Sequence, residues 1–244
     1  MGVVSSINWF EQGFGEDYVS VYQHRDEAEA RLAVELIRSR VRCGEGMPAL
    51  DVACGAGRHL RFLKNQQWTV GLDLSASLLR IARRANADAQ LVRADMRSLP
   101  FRSGTFALVV NLFTSFGYFS DDAQHRRVIE EIARVTVRGG WFVLDFFNSA
   151  RIRHTLVPFD RRQIGSLIVE QKREISTDGR YVHKAITMVG EDKTFRERVR
   201  LFDVRDLASM LQGCGFMVTE VLGDYHGRPF SASSPRTILI GQRV

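Results

Sequence analysis

At 244 residues, with 45% hydrophobic and 25% charged side chains, the chain fits one large domain or a domain with an insertion. No apolar run approaches the roughly 18 residues of a membrane span, no secretory pattern opens the sequence, and Cys43, Cys54 and Cys214 offer neither a disulfide framework nor a zinc spacing, so a cytoplasmic protein without a structural metal is expected. The net charge of +6 admits nucleic acid as a partner, but the arginines are scattered (Arg80, Arg83 and Arg84; Arg93, Arg97 and Arg102; Arg196, Arg198 and Arg200) and read as a solvated surface.

The N-terminal stretch is unusually aromatic: Trp9, Phe10, Phe14, Tyr18 and Tyr22, with Glu16, Asp17 and His24 between them. Phe14, Tyr18 and Tyr22 recur at i, i+4 and i+8 and can share a helix face. Such a segment either ties itself to the core by aromatic burial or covers the mouth of a site; residues 1–25 are read as an aromatic cap. From Asp26 to about Arg42 the pattern is helical, with Leu32 and Leu36 in one row and Ala33, Ile37 and Val41 in the next. Gly44, Gly46 and Pro48 end it.

Ala49, Leu50, Val52 and Ala53 form a short apolar run of the buried-strand kind. Gly55 and Gly57 follow before a helical pattern opens with Leu60, Phe62 and Leu63. Strand, tight turn and helix in that order aim free N–H groups and a positive dipole end at whatever the loop holds. A dinucleotide loop needs a third glycine, where this chain has Leu60, and Asp51 just ahead of the loop would repel a phosphate. An acid there suits a ligand with a cationic end, such as an α-ammonium group. The run D-V-A-C-G-A-G-R from Asp51 to Arg58 resembles motif I of the class I S-adenosylmethionine-dependent methyltransferases, D/E-x-G-x-G-x-G, with Ala53 in place of the first glycine.

Residues 70–73 read as a second strand ending in Asp73, where a ribose diol would need an acceptor. Ser75 caps the next helix, whose buried stripe is Leu78, Leu79 and Ala82. Residues 89–96 give a third strand ending in Asp95 and Met96, and after a turn-rich link at 98–104 residues 106–111 give a fourth, ending in Asn111. Each of the four strands ends in a polar group, at the edge where an open α/β sheet binds its ligand. Beyond Ser120, Asp121 and Asp122, an amphipathic helix carries Val128, Ile129, Ile132, Ala133 and Val135. Gly139 and Gly140 are expected to stop it before a fifth strand at 141–146. Strand alternating with helix predicts a doubly wound parallel sheet.

The alternation then breaks. Residues 167–175, 181–189 and 195–202 look like three consecutive strands, with Thr177, Asp178 and Gly179 as a hairpin turn, and so predict an antiparallel addition to the main sheet. In the third, Phe195, Val199 and Leu201 share one face and Arg196, Arg198 and Arg200 the other. Asp203 and Asp206 open a helix with Leu207, Met210 and Leu211, Gly213 and Gly215 stop it, and residues 216–222 and 237–243 close the chain as two strands. That ending resembles the same methyltransferase class, whose last strand runs antiparallel. The resemblance covers about residues 26–146 and 203–244. It implies an α/β fold with a doubly wound, seven-stranded, mostly parallel sheet of Rossmann-like type. Residues 26–150 and 203–244 would form the cofactor-binding core, and 151–202 an antiparallel β insertion before the C-terminal helix.

The resemblance also implies S-adenosyl-L-methionine as cofactor, S-adenosyl-L-homocysteine as product, and roles for particular residues. Gly55 and Gly57 would shape the loop, with Asp51 and Ala53 near the amino-acid end. Asp73, followed by Leu74, would accept from the ribose hydroxyls, Asp95 would face the adenine amine, and Met96 would pack on its ring. Asn111 and Leu112 would lie beneath the methionine portion. Asn111-Leu-Phe-Thr-Ser115 is not the N/D-P-P-Y/F pattern of DNA amino methylation, and no Pro-Cys pair offers a thiol for carbon methylation of pyrimidines. Phe113, Phe116, Tyr118 and Phe119 follow the fourth strand in a stretch that resembles methyltransferases acting on small molecules, including amino groups of sugars and amino acids. The expected reaction is methyl transfer to a nitrogen or oxygen of a small-molecule acceptor, with an RNA methyltransferase or a non-catalytic binder of the cofactor as alternatives. Candidate bases are Tyr18, His24, Tyr118 and His226; a homodimer is compatible with the sequence.

Overall fold

The computed structural model describes residues 27–43, 46–63, 68–165, 167–190 and 193–244. The aromatic cap read at residues 1–25, with Tyr18 and His24, lies outside them. Helix α1 (Glu27–Arg40) buries Ala30, Ala33, Val34, Leu36 and Ile37, the face its apolar rows predict. Strand β1 (Ala49–Val52) is buried on both faces, as a central parallel strand must be. The short helix α2 (Leu60–Leu63), strand β2 (Thr69–Asp73), helix α3 (Ala76–Ala85), strand β3 (Gln90–Arg93) and strand β4 (Phe106–Asn111) follow. Helix α4 (Asp122–Val135) leads into β5 (Thr136–Phe147).

After these come α5 (Ser149–Thr155), strands β6 (Phe159–Ile164), β7 (Leu167–Ile175), β8 (Tyr181–Val189) and β9 (Lys193–Arg200), helix α6 (Val204–Gly213), and strands β10 (Phe216–Leu222) and β11 (Arg236–Arg243). The main sheet has seven strands in the order β10-β11-β5-β4-β1-β2-β3. Strands β1 to β5 pair in parallel, and β11 runs antiparallel between β5 and β10. One face packs Leu50, Val52 and Val109 against α4 and α6. The opposite face packs Ala49, Leu108, Val110 and Val143 against α1. Parallel strands need such helical crossovers, and the crossovers cover both faces. No helix among the described residues is long and apolar enough to cross a membrane.

Three details differ from the sequence reading. The antiparallel strands do not extend the main sheet; they form a separate four-stranded sheet in the order β6-β7-β8-β9. Its first strand and helix α5 were not anticipated. Gly139 and Gly140 do not stop α4. That helix ends at Thr136, whose N–H still bonds the carbonyl of Ile132, and the glycines lie inside β5. The register against β4 shifts there, from Phe106 opposite Thr136 to Leu108 opposite Trp141, so the extra residues bulge outward. Gly139 takes a φ of 77° in that bulge.

The second sheet is fastened to the start of α4. The Arg200 N–H donates to the carbonyl of Gly117 at 2.8 Å. Asp122 accepts from Arg200 Nε at 3.2 Å and Arg180 Nη2 at 3.0 Å, and the Tyr181 hydroxyl donates to the carbonyl of Ser120 at 3.1 Å. Arg198 and Arg200 stack over Tyr181, with the guanidinium carbons 5.1 and 5.7 Å from the ring centroid. Arg196, Arg198 and Arg200 are therefore not one solvated face; Arg196 is exposed, whereas Arg200 is an inter-sheet tie.

Candidate functional site

A cavity opens at the carboxyl ends of β1, β2, β3 and β4. Its wall is formed by Ala53 and Gly55 after β1, Leu72, Asp73, Leu74, Ser75 and Leu78 around the end of β2, Ala94, Asp95 and Met96 after β3, and Ser115, Tyr118 and Phe119 beyond β4. This is the topological switch point, where β1 has β2 on one side and β4 on the other. Crossovers leaving in opposite directions open a crevice there.

The loop after β1 is built from left-handed backbone. Ala53, Gly55 and Gly57 have φ of 59°, 55° and 77°. At Gly57 a Cβ would lie 3.0 Å from both Ala82 Cβ and Asn86 Nδ2, so the position needs glycine for space as well as for φ. Asn86 holds the loop by donating Nδ2 to the Gly57 carbonyl at 3.1 Å. Ala53, where the family pattern carries glycine, keeps the left-handed conformation and so stores strain.

Asp73 lies at the centre. Its Oδ2 accepts from the N–H of Gly55 and its Oδ1 from the N–H of Ser75, both at 2.8 Å. Burial raises its pKa, opposed by those N–H groups. Ser75 is the N-cap of α3, taking the N–H of Leu78. Asp95 meets Arg97, whose Nε lies 3.0 Å from each carboxylate oxygen. Burial raises the Asp95 carboxyl, but Arg97 more than offsets that and leaves it below the usual carboxylate range.

Asp51, Asn111 and Leu112 are buried behind the cavity and outside its wall. Asn111 Nδ2 donates to the Val52 carbonyl at 2.9 Å, while its Oδ1 and the Oδ2 of Asp51 have no hydrogen-bond partner among the described residues. Burial first, and then the nearby Asp73 charge, push the Asp51 carboxyl up to about 8 against the lowering effect of Arg58. The cavity thus has two carboxylates in an apolar wall, with two orphaned buried oxygens behind it. A ligand with a diol, an aromatic amine and a cationic end matches that donor set; S-adenosylmethionine has all three. Gly57 shapes the loop without reaching the wall.

Of the two candidate bases among the described residues, Tyr118 is in the wall, and its hydroxyl donates to the carbonyl of Thr114 at 2.9 Å. His226 is exposed on the β10–β11 connection. Sequence reasoning missed Ser115 as a wall residue. It also missed a buried group beside the wall, in which the Asp145 carboxylate accepts from Tyr225 Oη at 2.6 Å, Arg236 Nε at 2.7 Å and the Phe113 N–H at 2.8 Å. An acid inside the apolar run of β5 and an arginine opening the apolar β11 were the available signals.

The sequence profile of the Methyltransferase domain family matches residues 49–140, which span β1 to the start of β5. Over 237 residues the chain is 30% identical to the dTDP-3-amino-3,4,6-trideoxy-alpha-D-glucopyranose N,N-dimethyltransferase of Streptomyces venezuelae, covering 93% of this chain and 94% of that one. The chain belongs to the S-adenosylmethionine-dependent methyltransferases. A second relative of this methyltransferase, the dTDP-3-amino-3,6-dideoxy-alpha-D-glucopyranose N,N-dimethyltransferase of Streptomyces fradiae, is 37% identical over 143 residues, 55% of this chain and 52% of the relative. The same fold occurs in an S-adenosylmethionine-dependent methyltransferase from Clostridium acetobutylicum. The TM-score is 0.78 at 17% identity, over 93% of this chain and 96% of that one. The enzyme is a class I methyltransferase, and S-adenosylmethionine is its cofactor.

Proposed function

We propose that this methyltransferase acts in the cytoplasm on an amino group of a small molecule, in the first place an amino sugar carried on a nucleoside diphosphate. The observation that carries the reading is the alignment with the Streptomyces venezuelae amino-sugar dimethyltransferase along 94% of that protein, through the second sheet as well as the core. The cofactor supplies a methyl group on a positively charged sulfur, open to in-line displacement by a nucleophile.

The chain's residues then have three tasks. Asp73, already fixed by Gly55 and Ser75, accepts from the ribose hydroxyls, and Met96 packs beside the base above Asp95. Asp51 and Asn111, buried behind the wall, act on the cationic amino-acid end through the β1 loop rather than by contact. Ser115, Tyr118 and Phe119 form the wall on the acceptor side. The Tyr118 hydroxyl, oriented by its hydrogen bond to the Thr114 carbonyl, stands in this wall and helps to place the incoming amine for attack. An amine near neutral pKa needs little more, since its proton passes to water once the nitrogen is positioned.

The arginines of β9 weigh against RNA, for Arg200 is already paired with Asp122 and Arg198 is stacked on Tyr181. The test offers dTDP-3-amino-3,6-dideoxyglucose and bulk tRNA side by side, with methyl-labelled cofactor and mass analysis of both. Transfer of one or two methyl groups to the sugar nitrogen supports the reading. Label found only in tRNA, or in neither while the cofactor binds, replaces it with the RNA or the non-catalytic alternative.

A further inference from the structure

The chain leaves β4 through two successive non-glycine residues in the left-handed region, Phe113 at φ 60° and Thr114 at φ 62°. For a β-branched residue this is a strained conformation, and glycine would adopt it freely. Strain of this kind persists only where the surroundings over-determine it. Here they do. The Phe113 N–H donates to Asp145 Oδ2 at 2.8 Å and the Thr114 N–H to the Asp145 carbonyl at 2.9 Å. Arg236 joins the two sides, with Nε 2.7 Å from Asp145 Oδ1 and Nη2 3.3 Å from Thr114 Oγ1. Tyr225 adds its hydroxyl to Asp145 Oδ2. Asp145 is fully buried, and the Arg236 side chain is 15% exposed.

The far side of the same turn is the cavity wall. Ser115 Oγ donates to the Leu112 carbonyl at 2.9 Å, and the Tyr118 hydroxyl donates to the Thr114 carbonyl. Both carbonyls belong to the turn, so the direction of the two wall hydroxyls follows from its φ values. We propose that Asp145 is a positioning residue: through Phe113, Thr114 and Arg236 it holds the strained turn that sets Ser115 and Tyr118 in the wall before any ligand arrives. The strain is then the stored cost of a wall already ordered in the free protein, and binding does not have to supply that order. This rests on the reading that the cavity whose acceptor-side wall carries Ser115 and Tyr118 holds the cofactor.

Three variants separate positioning from plain structural support, read by thermal midpoint and by calorimetry with S-adenosylhomocysteine. Thr114→Ala and Thr114→Gly both lose the hydroxyl on Arg236, and they differ in backbone freedom. The glycine variant should melt above the alanine variant, because it relieves strain, yet bind the ligand roughly fivefold more weakly, because its turn wanders. Asp145→Asn should lower both the midpoint and the affinity. Affinity would thus fall as stability rises from alanine to glycine at Thr114, and fall as stability falls from wild type to Asp145→Asn, which mere support of the fold cannot produce. Equal affinities of the two Thr114 variants, or a glycine variant that melts no higher than alanine, overturn the inference. Wild-type protein that binds no S-adenosylhomocysteine overturns the cofactor reading and this inference with it.

Discussion

The carboxylate of Asp73 accepts the N–H of Gly55 across 2.8 Å, so the acid that ends β2 also fastens the glycine loop that follows β1. One side chain therefore has two tasks: it shapes the loop in the free protein and faces the cavity in which the cofactor's ribose is proposed to lie.

Both tasks should be visible on mutation. Asp73→Ala leaves the N–H groups of Gly55 and Ser75 without their acceptor, at about 1–3 kcal/mol. The thermal midpoint of the free protein should fall by several degrees, and affinity for S-adenosylhomocysteine by roughly tenfold or more. Asp73→Asn should recover much of the stability and little of the affinity. Equal recovery of both would make the residue structural only.

The buried Asp51 gives stability a pH dependence of unusual sign. Its folded pKa of about 8 lies above the unfolded value near 3.9, so the native state keeps a proton that the unfolded chain has lost. Stability from this group is full below about pH 4 and is lost as pH rises toward 8. Compared with Asp51→Asn in urea melts, wild type should lose about 1.4 kcal/mol for each pH unit crossed well inside that window. Curves that stay parallel between the two proteins from pH 5 to pH 8 would contradict this.

His125 works the other way. It is fully buried among Phe116, Phe119 and Phe202, accepts the Phe119 N–H on Nε2 at 3.2 Å, and is pushed down to about 4 by burial despite Asp122 nearby. The folded value lies below the unfolded one near 6.5, so its contribution is present above that pH and is lost as pH falls toward 4. His125→Gln should flatten the acid limb of the stability curve and leave the alkaline limb as it was. An unchanged acid limb would assign that loss of stability to other groups.

The arginines of β9 should divide rather than act as a set. Arg196→Gln should change stability by no more than about 0.5 kcal/mol. Arg200→Gln breaks the tie to Asp122, which is half-exposed, and should destabilise by about 1 kcal/mol. Binding of bulk RNA at physiological salt should be weak for wild type and both variants. Tight, salt-sensitive RNA binding that Arg196→Gln abolishes would argue for a phosphate contact.

The main sheet was legible because its strands are apolar runs closed by a polar residue: Asp73 and Asn111 end β2 and β4 as the sequence suggests, and Asp95 follows β3 by two positions. The sequence of β6, F-D-R-R-Q-I, has no such run, since an edge strand with polar residues toward solvent resembles a loop. Helix α5 is too short to show a period. The glycine pair of β5 looks like a helix stop until the pairing of β4 with β5 reveals a bulge. The bonds that fix Asp73 were not legible, since they depend on where Gly55 and Ser75 fold back. Tyr225 and Arg236 lie 80 and 91 positions from Asp145, so their meeting with it is a property of the β5–β11 pairing that no local pattern encodes.

The site assignment is tested most directly by the crystal structure of the enzyme with S-adenosylhomocysteine. The ribose hydroxyls are predicted on Asp73, the adenine beside Met96 and Asp95, and the amino-acid end over the Ala53–Gly57 loop near Asp51, with Ser115 and Tyr118 facing the sulfur. A nucleoside bound outside this cavity, or one that leaves Asp73 bonded only to Gly55 and Ser75, would contradict the account.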